Sequence, residues 1–406
     1  SHALAAQAYV DFHSGDARGA IDRLRKLLQG PEGSSALLHG TAGVIEMQAG
    51  DLDAARDDLE VAHRTAPGDV RITQMLGEQW RRRGQGFEVK ANALYDTALT
   101  RLAPDHVPSL LGKAQLLLDA DRPDEAARRV NKVLEMGQTA SPRQVALAHV
   151  LRGSVLHAQG KGGEGDREEQ QALALDPSNP DIHDLVGKRK LRGGDAAGAA
   201  EAFGRASEID PARVAFYVDL ANALMARPGG AKQAVAALEK ANARAGNPRI
   251  QKLLGDAYRA DGDQDRARAA YEKAIETEKK FPDARIALAR VWRDRKDWGR
   301  ALDELDRAVK DYGEGTVGSA AAWDEIADVE DARGSPPEAV EKAYTAALKA
   351  DPTNCPALFW LGRSRSERKG RAYDPNLAKQ MLSDYVRLCP RASHVGDAQR
   401  IVVGLR

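Results

Sequence analysis

The sequence predicts an all-α solenoid of short, paired helices. Three observations predict it: a spacing of 34 residues that recurs along the chain, turn residues at fixed places within each unit, and a composition poor in aromatics. The 406 residues carry 60 Lys+Arg against 60 Asp+Glu, and aromatics make up 5%. Self-similarity at a period of this length marks an array of repeats. No stretch approaches the ~18 consecutive apolar residues that a membrane span needs. The zero net charge lacks the basic excess with which nucleic-acid binders displace counterions, so no nucleic-acid partner is expected.

The clearest unit, 180–213, holds Gly187, Gly194, Ala199, Phe203, Ala206 and Pro211. The beat returns at 248–281 as Gly255, Tyr258, Gly262, Ala267, Tyr271 and Ala274, and at 36–69 as Gly43, Gly50, Ala55, Leu59, Ala62 and Pro67. Within the second helix Ala267, Tyr271 and Ala274 are spaced i, i+4, i+7 and share one face. Gly50-Asp51 and Gly262-Asp263 mark the turn between helices. Asp176-Pro177, Asp210-Pro211 and Asp351-Pro352 end units, because proline lacks an N–H and clashes with a preceding helical turn. Small residues at the eighth position (Gly43, Gly187, Ala221, Gly255, Ala289) let the two helices of a pair approach closely.

At these residues the chain resembles the tetratricopeptide repeat family, whose 34-residue helix–turn–helix has small residues, aromatics and a proline at these offsets. The resemblance implies a right-handed superhelical solenoid over 1–393. About eleven units start near Ser1, Ala36, Val70, Val107, Ala146, Pro180, Val214, Pro248, Pro282, Ala320 and Cys355, and a capping helix follows at 394–406. Irregularities are expected near 85–90, 137–145, 312–319 and 369–375. The family's tryptophan near the start of the unit is largely missing.

The resemblance also implies a concave groove lined by the first helices, with ligand contacts near the second, fifth, ninth, twelfth and thirteenth positions. Carried onto this chain, those positions hold Arg71, Gln74, Glu78, Arg81 and Arg82 in the third unit, and Arg249, Lys252, Asp256 and Arg259 in the eighth. The ninth unit offers Asp283, Arg290 and Arg293, and the tenth Asp324, Asp328 and Asp331. The pattern reads as basic patches at units three and eight to nine and an acidic patch at unit ten, suited to a charged protein or peptide partner. Ordinary solvated helix faces are the alternative. The family's clamp for a C-terminal carboxylate is not matched: Asn222 has Val218 at the fifth position, and Lys252 has Asp256 at the ninth.

No catalytic constellation is found, and neither an enzyme nor a cofactor is expected. Gly313-Glu314-Gly315-Thr316-Val317-Gly318 fits G-x-G-x-x-G, but it follows a helix where dinucleotide binding needs a strand. No metal site is expected: His149 and His157 are eight apart without a carboxylate or cysteine companion. Cys355 opens the first helix of the last unit and Cys389 closes its second. An antiparallel pair brings those ends together, so a disulfide is plausible; two separate core cysteines are the alternative.

The chain opens on Ser1-His2 without Met, which reads as a processed or truncated form, and its Ala, Arg and Gly richness as bacterial. The expectation is a non-catalytic scaffold or assembly adaptor in a bacterial envelope complex for secretion, polysaccharide export or motility, periplasmic or membrane-tethered. A cytoplasmic location is the alternative for the compartment. For function the alternatives are the arm of a larger enzyme, or a carbohydrate groove using Tyr9, Phe12, Phe359 or Trp360.

Overall fold

The computed structural model describes residues 2–31, 33–84, 86–367 and 373–405. Gln85 and residues 369–372, which belong to two of the expected irregularities, lie outside the described residues.

Among the described residues there are 23 α-helices and no strand. They run α1 His2–His13, α2 Ala17–Leu28, α3 Ala36–Gln48, α4 Leu52–Thr65, α5 Val70–Arg83 and α6 Glu88–Thr97. Then come α7 Val107–Asp119, α8 Pro123–Glu135, α9 Pro142–Ala158, α10 Gly162–Leu175, α11 Pro180–Arg192 and α12 Ala196–Ile209. They continue as α13 Val214–Met225, α14 Ala231–Ala245, α15 Pro248–Ala260, α16 Gln264–Thr277, α17 Pro282–Asp294 and α18 Trp298–Tyr312. The chain finishes with α19 Val317–Ala332, α20 Pro337–Ala350, α21 Cys355–Ser366, α22 Pro375–Leu388 and α23 Val395–Gly404.

The turn chemistry is local. Asp51, Asp195, Asp263 and Asp297 each accept the N–H three residues on and so cap the second helix of a pair. The glycine before the first three has positive φ, whereas Lys296 holds that conformation (φ 61°) before Asp297. Close approach at the eighth position is visible at Gly187: a Cβ there would lie 2.7 Å from the Phe203 ring. The fifth unit begins at Pro142 rather than Ala146, because Ser141 and Gln144 form a capping box with Pro142 in the first turn. The tenth begins at Val317 rather than Ala320. Gly313 and Gly315 take positive φ in the connector before it, and Gly318 lies under the Tyr312 ring, so the glycine motif serves helix packing.

The array read as one stretch divides into two compact units, 1–261 and 262–406. In the first, cores of Ala, Leu and Val lie between successive helices; Leu110, Leu117, Val130, Val150 and Ile182 belong to one cluster. The chain then returns on itself: α13 packs on α3 and α14 on α2. Asn247 Nδ2 donates to the Ala49 carbonyl across this seam at 3.3 Å. In the second unit a Cys355–Cys389 disulfide joins the start of α21 to the end of α22. Helix α23 lays Ala398, Ile401 and Val402 over the cluster holding Leu358, Leu382 and Tyr385.

Candidate functional site

Because the first unit returns on itself, first helices of several pairs face a shared interior. A cavity of about 440 Å³ lies there, lined from α3, α5, α7, α11, α13 and α15 and by the start of α4. Its apolar wall includes Met47, Leu52, Leu191, Val218, Ile250 and Leu253. Its charged lining is Arg81, Arg82, Lys188, Arg192 and Arg249, against Asp119 and Asp219.

These charges are tied together from behind. Glu78 accepts from Arg81 (2.7 and 2.9 Å), from Arg82 Nε (2.7 Å) and from the Tyr95 hydroxyl (3.1 Å). Burial opposes its ionisation, yet the two guanidiniums hold its carboxyl well below the usual range. Asp119 bridges Arg81 (2.9 Å) and Arg192 (3.3 Å). Lys188 reaches Asp184 (2.6 Å) and Asp219 (3.7 Å). Burial raises Asp219 to about 6; Lys188 opposes the rise and Asp184 adds to it. Burial lowers Arg192; Asp119 opposes the fall, and the Arg81 and Arg189 cations add to it. The cavity lining therefore carries five cations and two carboxylates beside an aliphatic wall, with Glu78 holding Arg81 and Arg82, and Asp184 holding Lys188, from behind.

Of the residues singled out in the sequence, Arg81, Arg82 and Arg249 meet in this cavity. Arg71 does not. It pairs with Asp69 at 2.9 Å and lines a separate hollow with Tyr9, Leu37, Val44 and Met75. Lys252 and Asp256 pair with each other along α15 at 2.8 Å, and Arg259 stands in its last turn. In the second unit the basic and acidic patches meet. Arg290 and Arg293 bind the two oxygens of Glu325 at 2.6 and 2.8 Å, and Arg293 lies 3.6 Å from Asp328. Asp324 accepts from Asn354 (2.7 Å), and burial raises it to about 6. Asp328 accepts from the Tyr344 hydroxyl (3.2 Å). Of the aromatics considered for carbohydrate, Phe12 is fully buried, Phe359 stacks between Tyr385 and His394, and Trp360 packs on Tyr344.

Asp119, Lys188, Arg192 and Asp219 were not picked out from the sequence. The signal existed for three of them: Lys188 and Arg192 are the ninth and thirteenth residues of the unit starting at Pro180, and Asp119 is the thirteenth of the unit starting at Val107.

Models of the tetratricopeptide repeat match residues 111–180, 190–257, 248–291 and 286–354, which together exceed half of the chain. The chain belongs to the tetratricopeptide-repeat family. A comparison with curated proteins finds no match. Among solved structures, the chain is similar to the APC/C hetero-tetramer Cut9–Hcn1 at 15% identity, covering 98% of this chain and 83% of that one (TM-score 0.42). It is similar to the human IFIT1 dimer with m7Gppp-AAAA at 16% identity, covering 98% and 88% (TM-score 0.44). It is also similar to MamA at 22% identity, covering 43% and 92% (TM-score 0.35). Tetratricopeptide-repeat proteins are generally non-catalytic, and their fold is that of a protein–protein interaction scaffold.

Proposed function

We propose that the chain is a scaffold whose first unit grips an extended, acidic and aliphatic segment of a partner protein in its interior cavity. The observation that carries this reading is the set of Arg81, Arg82, Lys188, Arg192 and Arg249 beside an aliphatic wall in one cavity, with Asp119 and Asp219 in the same lining. A ligand carboxylate would accept from the cavity-facing N–H groups of these cations, and aliphatic side chains would cover the wall. The finer setting we propose is a bacterial envelope assembly, periplasmic or membrane-tethered. The Cys355–Cys389 disulfide supports it, since such bonds persist in oxidising compartments.

The test uses labelled dodecapeptides of alternating Leu with Glu, Gln or Lys, read by fluorescence anisotropy. The Glu peptide is expected to bind at least tenfold tighter than the Gln peptide, with the Lys peptide weakest. Ala215→Trp, which fills the cavity, removes binding. Protonation of Asp219, which faces Lys188, Asp184 and Arg82, makes the cavity more positive, so affinity for the Glu peptide rises as pH falls from 7.5 to 5.5. Equal affinity for all three peptides, or binding unaffected by Ala215→Trp, refutes the reading.

A further inference from the structure

We propose that His157, Asp166 and Glu169 form a binding site for a divalent metal ion of the zinc type, pinning α9 to α10 in the fifth helix pair. His157 stands in the last turn of α9, and Asp166 and Glu169 lie three apart on α10. One donor atom from each lies within 4.8 Å of the others. His157 Nε2 is 3.2 Å from Asp166 Oδ1 and 3.9 Å from Glu169 Oε1. Ligands of a tetrahedral zinc at ~2.0–2.1 Å stand about 3.3 Å from one another, so small side-chain shifts complete the site.

The imidazole is placed as a ligand would be. Nε2 is buried and makes no hydrogen bond, although a carboxylate stands beside it. His149, two turns earlier on the same helix, is the contrast: its Nδ1 is hydrogen-bonded to Glu168 at 2.8 Å in the ordinary manner. The backbone also makes room for the ring. A Cβ at Gly165 would lie 2.6 Å from His157 Cδ2 and 2.8 Å from Nε2, so any side chain there displaces the imidazole. The spacing of His149 and His157 concealed the site because the carboxylates come from the antiparallel helix, not from α9.

One nitrogen and two carboxylates suit borderline divalent ions, with coordination positions left for water. A cavity of about 320 Å³, lined by Ser154, His157, Arg189 and Arg192, adjoins the imidazole. Arg189 binds both oxygens of Glu169 at 2.7 and 2.8 Å. Each carboxylate oxygen keeps a further lone pair for a metal. The guanidinium thus orients Glu169, and it also competes with the metal through its charge.

The test strips the full chain with chelator and titrates Co²⁺, followed by visible d–d absorption, and then Zn²⁺. The expected result is one Co²⁺ per chain, displaced by one Zn²⁺, with a rise in melting temperature that chelator reverses. His157→Ala and Asp166→Asn are each expected to weaken binding at least tenfold, and His149→Ala to leave it unchanged. Arg189→Gln, which removes the competing cation, is expected to tighten it. Asp166 is largely exposed, so Asp166→Asn keeps the fold if His157→Ala does not. Absence of the Co²⁺ spectrum, or binding that survives both His157→Ala and Asp166→Asn undiminished, overturns the proposal.

Discussion

Glu46 and Asp58 are buried side by side between α3 and α4, at 1% and 2% exposure. Arg25 reaches both, at 2.5 and 3.0 Å, and the two ring nitrogens of His39 face Asp58 and the Gly33 carbonyl. Burial, reinforced by Asp58, pushes Glu46 up to about 9, so the folded chain binds a proton there that the unfolded chain releases near 4.5. The sign follows from linkage: folding takes up a proton between those values, so this site's contribution is full below about pH 4.5 and lost as pH rises toward 9. Glu46→Gln keeps the shape and the acceptor for Arg25 but carries no proton to lose. Denaturation at pH 5 and pH 8.5 is expected to show the variant gaining on the parent by about 2 kcal/mol or more at the higher pH. An equal difference at both values contradicts a proton held on Glu46 in the folded chain. Nothing in the 34-residue pattern points to this cluster, because Glu46 and Asp58 occupy helix faces that look solvated until α2, α3 and α4 are packed.

Helix pairing was legible because its signals are local. Gly-Asp turns, Asp-Pro stops and small eighth residues act within one unit, and the observed helices follow them. Two first helices start earlier than the apolar period does: at Ser141 a capping box starts α9, and α19 starts at Val317 without a side-chain cap. What the charges do was less legible, since a charged residue's partner lies on another unit. Arg290 and Arg293 read as a free basic patch, yet α19 brings Glu325 to both. Reversal of both to Glu would set new carboxylates against Glu325 and Asp328. We expect Arg290→Glu/Arg293→Glu to lower the unfolding free energy by about 2–4 kcal/mol, since breaking a partly buried pair leaves the partner uncompensated. Adding Glu325→Lys should recover much of that loss. A double mutant with unchanged melting would mean the bridges are solvent-screened and contribute little.

At the largest scale the feature that matters most was not visible in the repeat pattern: the first unit makes a circuit and closes. Each pair adds a small rotation to the next, and only the sum over seven pairs decides whether α14 meets α2. A 34-residue template describes one step and leaves that sum open. Closure is what converts an open groove into an interior cavity, so the seam and the candidate site are coupled. Asn247 tests this cleanly because it has two roles. Its Oδ1 accepts the Ile250 N–H at 2.9 Å and caps α15, while its Nδ2 donates to the Ala49 carbonyl across the seam. Asn247→Asp keeps the cap, since aspartate serves equally well there. It replaces the seam donor with an anion facing a carbonyl, at a cost of about 1–3 kcal/mol. Hydrogen exchange is expected to quicken in α2, α3, α13 and α14, with the helices of the second unit unaffected. Affinity for the Glu dodecapeptide should fall with it, because the cavity loses its closed wall. If α2 and α14 keep their protection while global melting drops, the contribution is to the α15 cap alone, and the circuit is held by side-chain packing instead.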